Sequence, residues 1–265
     1  MTAHYFAAFV VSLVPLVSSQ GQNFMCFCWK DCIIAYPSKW ATTENSSFSA
    51  ICPNSPFDKE IIEETVIGHF NDMRYRLLKG LQLNGPWQGK DKWTSETQGY
   101  GKKLPKGKTM NELVWSCDFE KEAKAALNPK CTNDQPKAPN GKTGLFYKMD
   151  IDWDVPEITS AAWAWMEEIE KSAVRDNAIS NKAVTFKDAA LRQYLNLMRP
   201  SITKIGCAEV LCKEKGVNKY RAFCLTDQAP LKDNEVVYEA GKGGCDKGET
   251  CPKGLTCKKG LCAKP

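Results

Sequence analysis

Thirteen cysteines constrain this chain more than any other feature. Thiols stay reduced in the cytosol and are oxidised in the secretory pathway, so a chain this rich in cysteine is expected to be held by disulfides outside the cell. The N-terminus agrees. An apolar run from Phe6 to Val17, broken by Ser12 and Pro15, leads to the small residues Ser18 and Ser19 before Gln20. That run is too short for a bilayer span and has the small-residue exit of a cleaved signal peptide, assigned to residues 1–19. No later stretch is apolar enough to span a membrane. The odd cysteine count leaves one thiol free or pairs it with a second molecule, and the tight cluster Cys26, Cys28 and Cys32 is its natural home. A disulfide-linked dimer through that cluster is therefore an open expectation.

The net charge of +5 is too weak to point to nucleic acid. Lysines gather at Lys90, Lys92, Lys102, Lys103, Lys106 and Lys108, around Trp87 and Trp93. Such a loop is either a solvated segment or a contact surface for a protein or an acidic glycan, and Trp87, Trp93, Lys102 and Lys103 are its candidate binding residues. Asn45-Ser46-Ser47 fits the N-glycosylation acceptor pattern. The last block, with Cys245, Cys251, Cys257 and Cys262 among lysines and glycines, cannot bury a core, so crosslinks must hold it. Four cysteines allow three pairings, and sequence does not choose among them.

Helical spacing recurs four times in the long body. The first helix is expected from Asp58 to Leu83, with Ile62, Val66, Phe70, Met73, Leu77 and Leu81 inward. A second is expected from Met110 to Leu127, with Leu113, Cys117, Ala123 and Leu127 inward. A third follows Pro156 and buries Ile158, Ala162, Trp165 and Ile169. Trp163 and Trp165 are two apart, so one is core and the other exposed. A fourth is expected to open at Thr185, with Asp188 three residues on, and to end at Pro200. Strands are expected over Ser201–Lys213 and Tyr220–Thr226, joined by a turn at Gly216, with another near Gly144–Met149. Helices on both faces of a small antiparallel sheet make an α+β fold, a three-layer α-β-α sandwich with a small disulfide-rich C-terminal tail. The domains read as residues 20–51, a cysteine-containing N-terminal segment; 52–228, the sandwich; and 229–265, the hinge and tail.

Several motifs resemble one family. Phe70-Asn71-Asp72-Met73-Arg74, the run from Met110 through Cys117 to Glu120, Trp165-Met166-Glu167-Glu168-Ile169, Ile205-Gly206-Cys207-Ala208 and the tail from Tyr238 to Cys262 lie in one order and spacing. Together they resemble the CAP superfamily (cysteine-rich secretory, antigen 5 and pathogenesis-related proteins), in its nematode Ancylostoma-secreted-protein or venom-allergen-like branch. The resemblance spans roughly Cys52 to Cys262, and Cys26 to Cys32 have no counterpart in it. It implies disulfide candidates Cys52, Cys117, Cys131, Cys207, Cys212, Cys224, Cys245, Cys251, Cys257 and Cys262.

Family members with a central cavity hold two histidines and two acids there, in some cases around a divalent metal. Carried over singly, the first histidine should follow Cys131, yet residues 132–144 contain none. The first acid falls where Gly144-Leu145-Phe146 stands, the second is Glu168, and the last histidine is Gln193. Glu168 and Gln193 are thus remnants of a cavity rather than catalytic residues. Composition agrees: His4 leaves with the signal peptide, so His69 alone remains, and a two-histidine metal site cannot form within one chain. The expected function is a secreted, non-enzymatic binding or effector protein without cofactor, acting on host proteins, glycans or lipids and sterols. The alternatives are an extracellular hydrolase centred on Glu168 and a toxin-like activity confined to the tail.

Overall fold

The computed structural model divides into two units, Met1–Ser47 and Phe48–Pro265. It describes residues 48–86 and 102–265, together with a two-residue antiparallel pairing of Leu16–Val17 with Asn23–Phe24 in the first unit. The expected signal peptide apart from Leu16–Val17, the cysteines at 26, 28 and 32, the expected acceptor Asn45, and Trp87 and Trp93 lie outside the described residues.

In the second unit a seven-residue π-helical turn, Ile61–Ile67, runs into helix α1, Gly68–Leu78. The Asp58 carboxylate accepts the amides of Glu60 and Ile61 and starts the helix. The helix stops before the expected Leu83 because Gly80 takes a left-handed conformation and Leu81 N–H closes back on the Arg76 carbonyl. Leu81 is therefore exposed rather than inward. Strands β1 (Leu83–Asn84) and β2 (Lys102–Lys103) pair antiparallel.

The second expected helix is shorter than its apolar spacing indicated. Residues 110–115 are not helical: Val114–Trp115 is a strand, β3, and helix α2 covers only Cys117–Ala126. Ser116 is the reason. Its hydroxyl accepts the Phe119 amide as an N-cap, which forces extended backbone just ahead of the helix. Met110 and Leu113 are buried, but from an extended segment, and Cys117 is exposed. After α2 come β4 (Thr143–Ile151), α3 (Ile158–Met166) and the single turn α4 (Glu168–Lys171). Glu157 and Ser160 form a capping box at the start of α3. Ile158, Ala162, Trp165 and Ile169 are buried, while Trp163 is exposed.

The fourth helix does not open at Thr185. That residue ends strand β5, Ala183–Thr185, and Asp188 instead caps a short 3-10 turn, Ala189–Leu191, that leads into α5, Arg192–Leu197. The long hairpin of β6 (Lys204–Glu214) and β7 (Val217–Thr226) turns at Lys215 and Gly216, both at positive φ as a two-residue turn requires. Strand β8 (Val236–Glu239) pairs with β5, and the tail hairpin joins β9 (Thr256–Lys258) to β10 (Leu261–Ala263).

The central sheet has the order β3-β6-β7-β4, with β3 parallel to β6 and the other pairs antiparallel. Strand alternation sends side chains to opposite faces. Leu145, Ile205, Cys207, Tyr220, Ala222 and Cys224 join the larger core with Phe70, Leu77, Trp165, Tyr194 and Leu197. Ala208, Phe223 and Leu225 join a smaller core with Phe119, Ala123 and Leu127 of the α2 layer. The sheet is thus covered on both faces, the three-layer α-β-α sandwich. Close contact with α2 explains Gly206: a Cβ there would lie 2.4 Å from the Ser116 carbonyl oxygen and the Glu120 amide nitrogen.

Among the described residues ten cysteines form five disulfides: Cys52–Cys117, Cys131–Cys212, Cys207–Cys224, Cys245–Cys257 and Cys251–Cys262. Arg74 provides a second kind of staple. Its fully buried guanidinium donates to the carbonyls of Asn111, Leu197, Arg199 and Ile202, joining α1 to the start of the second layer and to the end of α5. Asn71 likewise exchanges two side-chain hydrogen bonds with the Leu113 backbone, at 2.8 and 2.9 Å. The tail docks through its last strand, where Cys262 N–H donates to Met110 and Glu112 N–H donates to Cys262, both at 2.8 Å.

Candidate functional site

Helix α5 places Gln193 beside the carboxylate of Glu168. The carboxylate lies against the first turn of α5, where Tyr194 N–H donates to Oε2 at 2.9 Å and the Gln193 amide also points at it. Free amides at a helix start need acceptors, so this carboxylate performs a capping task. Burial pushes its pKa up to about 7, against the pull of these two amides and of Lys171. Glu209 is placed similarly and carried no signal in the sequence. It accepts the Tyr220 hydroxyl at 2.6 Å and the Ile158 amide at the start of α3, and burial holds its pKa above the usual carboxylate range.

Gln193 looks outward into a cleft of about 430 Å³. The opposite wall is the stretch from Gln135 to Gly144, the same stretch that lacks the histidine the family resemblance would place there. Gly144 borders the cleft, but the adjoining Leu145 points into the core and is fully buried. Glu168 does not line the cleft; Gln193 does. Of the residues that the resemblance set at cavity positions, Gly144 and Gln193 line this cleft, while the Glu168 carboxylate accepts the amides that open α5. A divalent ion does not fit this donor set. Among the residues lining the cleft there is neither carboxylate nor imidazole, and the nearest positions offer carboxamides, lysines and an arginine.

His69 is half-buried on α1, stacked on Trp163 with ring centroids 4.0 Å apart. Burial lowers its pKa, partly offset by Asp72. No described serine, cysteine or carboxylate is hydrogen-bonded to it, so it has no nucleophile to activate. Sulfur atoms of Cys245, Cys251 and Cys262 lie close enough together to suggest a metal cluster, but all three belong to disulfides and are not thiolate ligands. Lys102 pairs with Asp176 at 3.1 Å and Lys103 is exposed on the same short strand. Gln135, Lys137, Asn140 and Arg192 escaped sequence reasoning, which searched residues 132–144 only for histidine. The density of proline and carboxamide there was the available signal.

The model of the CAP family, "Cysteine-rich secretory protein family", matches residues 67–226. Among solved structures, that of Na-ASP-1 superimposes with a TM-score of 0.59 at 20% identity, covering 82% of this chain and 49% of that one. This chain therefore spans about half of the length of Na-ASP-1. BmVAL-1 gives 0.57 at 23% identity, with 81% and 98% covered. The hookworm platelet inhibitor gives 0.50 at 19% identity, with 80% and 95% covered. At such identities the likeness is one of fold. No curated protein sequence matches the chain.

Proposed function

Because the chain belongs to the CAP family, with the sandwich that carries its motifs, we propose that it is a secreted binding or effector protein that catalyses no reaction. The observation that carries this reading is the state of the cavity. Its imidazole positions are empty of histidine, and its one remaining acid, Glu168, accepts the amides that open α5. A second carboxylate or an imidazole would be needed beside Glu168 to repeat a paired acid-base arrangement, and the cleft lining offers neither.

Five disulfides in the described unit support an extracellular life, since a reducing compartment would not sustain them. Among the described residues no helix is long and apolar enough to cross a membrane. In this reading residues 1–19 are removed as a signal peptide, 20–51 form the cysteine-containing N-terminal segment, 52–228 the CAP domain and 229–265 its tail. Asn45 carries a glycan, and the loop with Trp87, Trp93, Lys102 and Lys103 contributes to contact with a host protein or glycan. The name of the hookworm platelet inhibitor describes a host-directed activity, and a product of that general kind is what we envisage here.

Metal analysis and hydrolase assays on the oxidised mature protein test the proposal. Zinc well below one equivalent, and no turnover of esters, peptides or glycosides, are expected. Stoichiometric zinc, or turnover abolished in Glu168→Ala, would transfer the chain to the enzyme reading.

A further inference from the structure

The cleft beside Gln193 has lost the means to hold a metal, and what lines it has a consistent chemistry of its own. Its charged side chains are Lys137, Lys142 and Arg192, and no acid faces them from the lining. Lys142 is paired with Glu122 and lies over the Phe119 ring, 4.1 Å from its centroid. Lys137 and Arg192 have no carboxylate partner among the described residues. Arg192 is held in place nonetheless, its guanidinium 4.7 Å from the Phe186 centroid and one nitrogen 3.3 Å from the Leu231 carbonyl. A guanidinium fixed this way presents its remaining donors in a set direction, which favours a planar or tetrahedral anion over a diffuse counter-ion cloud.

Around these cations stand the carboxamides Gln135, Asn140, Gln193 and Asn196, the last already bonded to the Arg192 carbonyl and the Leu231 amide. Gln135 donates to the Gly144 carbonyl at 3.0 Å, which orients its amide, while Asn140 and Gln193 make no side-chain hydrogen bond within the described protein. A carboxamide both donates and accepts, so it matches a hydroxyl, which does the same. The volume lies in the range of sites for small ligands. Two unneutralised cations beside these carboxamides suit a molecule carrying both negative charge and several hydroxyls.

We propose that this cleft, between the stretch 135–144 and the start of α5, binds a sulfated sugar unit of an acidic glycan. The anionic group sits between Lys137 and Arg192, and the ring hydroxyls meet Gln193 and Asn140. The inference rests on the reading of the chain as a binding protein and narrows its partner to one chemistry.

Calorimetric titration of the oxidised, mature protein with a sulfated heparin-type disaccharide tests it, alongside the desulfated disaccharide and inorganic sulfate at equal ionic strength. The sulfated disaccharide should bind at least about tenfold more tightly than either control, the scale of one charge-assisted hydrogen bond. Arg192→Gln should weaken binding by about tenfold or more and Lys137→Gln by several-fold, while Lys253→Gln on the exposed tail leaves it unchanged. Lys137 is exposed, so its variant keeps the test intact if Arg192→Gln folds poorly. Equal binding of the desulfated sugar, inorganic sulfate binding as tightly as the disaccharide, or no effect of Lys137→Gln would overturn the assignment. The two readings fail separately: hydrolysis of the bound disaccharide would sink the non-enzymatic reading and leave the sugar site. Absence of binding would sink the sugar site alone.

Discussion

Between Phe48 and Thr226 the chain buries two apolar cores against its sheet, whereas from Lys242 to Pro265 the buried apolar side chains are Leu261, Cys262 and Ala263 alone. The two regions carry disulfides for different reasons. In the body the bridges join elements that already have a core to pack against. Cys207–Cys224, for instance, links residues directly opposed on β6 and β7 with Cα atoms 4.0 Å apart. In the tail, bridges across 12 and 11 residues replace a core that so short a segment cannot form. A region with a core should tolerate the loss of a crosslink and fail on the loss of a buried polar hub, while a region without one should do the reverse.

The largest effect expected from that contrast is at Arg74. Arg74→Met removes the donors for four carbonyls and leaves them buried, a loss of about 3–5 kcal/mol by analogy with broken buried charge networks. Urea unfolding of the body should report it, and a loss below about 1 kcal/mol, the value of one ordinary hydrogen bond, would show that the hub is not needed. Next comes the tail. Replacing Cys251 and Cys262 by alanine should release the tail by about 3 kcal/mol, the scale of closing a loop of that length. Limited trypsinolysis would then cut at the tail lysines while the body keeps its main unfolding transition. Collapse of both regions together would erase the distinction.

A smaller effect sharpens the account of the cavity. Glu168 has a folded pKa raised to about 7 from an ordinary 4.5, so the folded state binds the proton more tightly than the unfolded one. Its contribution is therefore most favourable below about pH 4.5 and is lost as pH rises through about 7. Glu168→Gln should flatten that part of the stability-pH curve and melt higher than the parent above pH 7. An unchanged slope between those values would count against a desolvated carboxyl at the helix start. The smallest change is expected for Lys258→Ala, which removes an exposed ion pair with Glu112 between tail and body. A shift within about 0.5 kcal/mol is the norm for such pairs. A larger one would mean that the tail leans on charge as well as on sulfur.

Elements with one dominant local signal were legible. The β6–β7 hairpin carries apolar alternation around Gly216, and α3 carries its stripe from Ile158 to Trp165 behind Pro156. The failures were at boundaries where two local signals compete. Apolar spacing ran on through Met110 to Leu127, but Ser116 starts the helix late because its hydroxyl serves the Phe119 amide. Thr185 resembled a cap, yet β8 offered it a strand partner from fifty residues away. Apolar periodicity counts side chains and has no means of registering a partner that distant.

What the residues alone determined is a matter of inventory: thirteen cysteines, a single histidine after His4, and alternation that demands a covered sheet. None of these depends on where the chain goes. Only the tertiary structure decided that Glu168 serves a helix, that Arg74 gathers carbonyls from two distant segments, and that Lys137 and Arg192 share one cleft. Those arrangements join residues from about 26 to more than 100 positions apart, and their energies arise only once folding has removed the water between them.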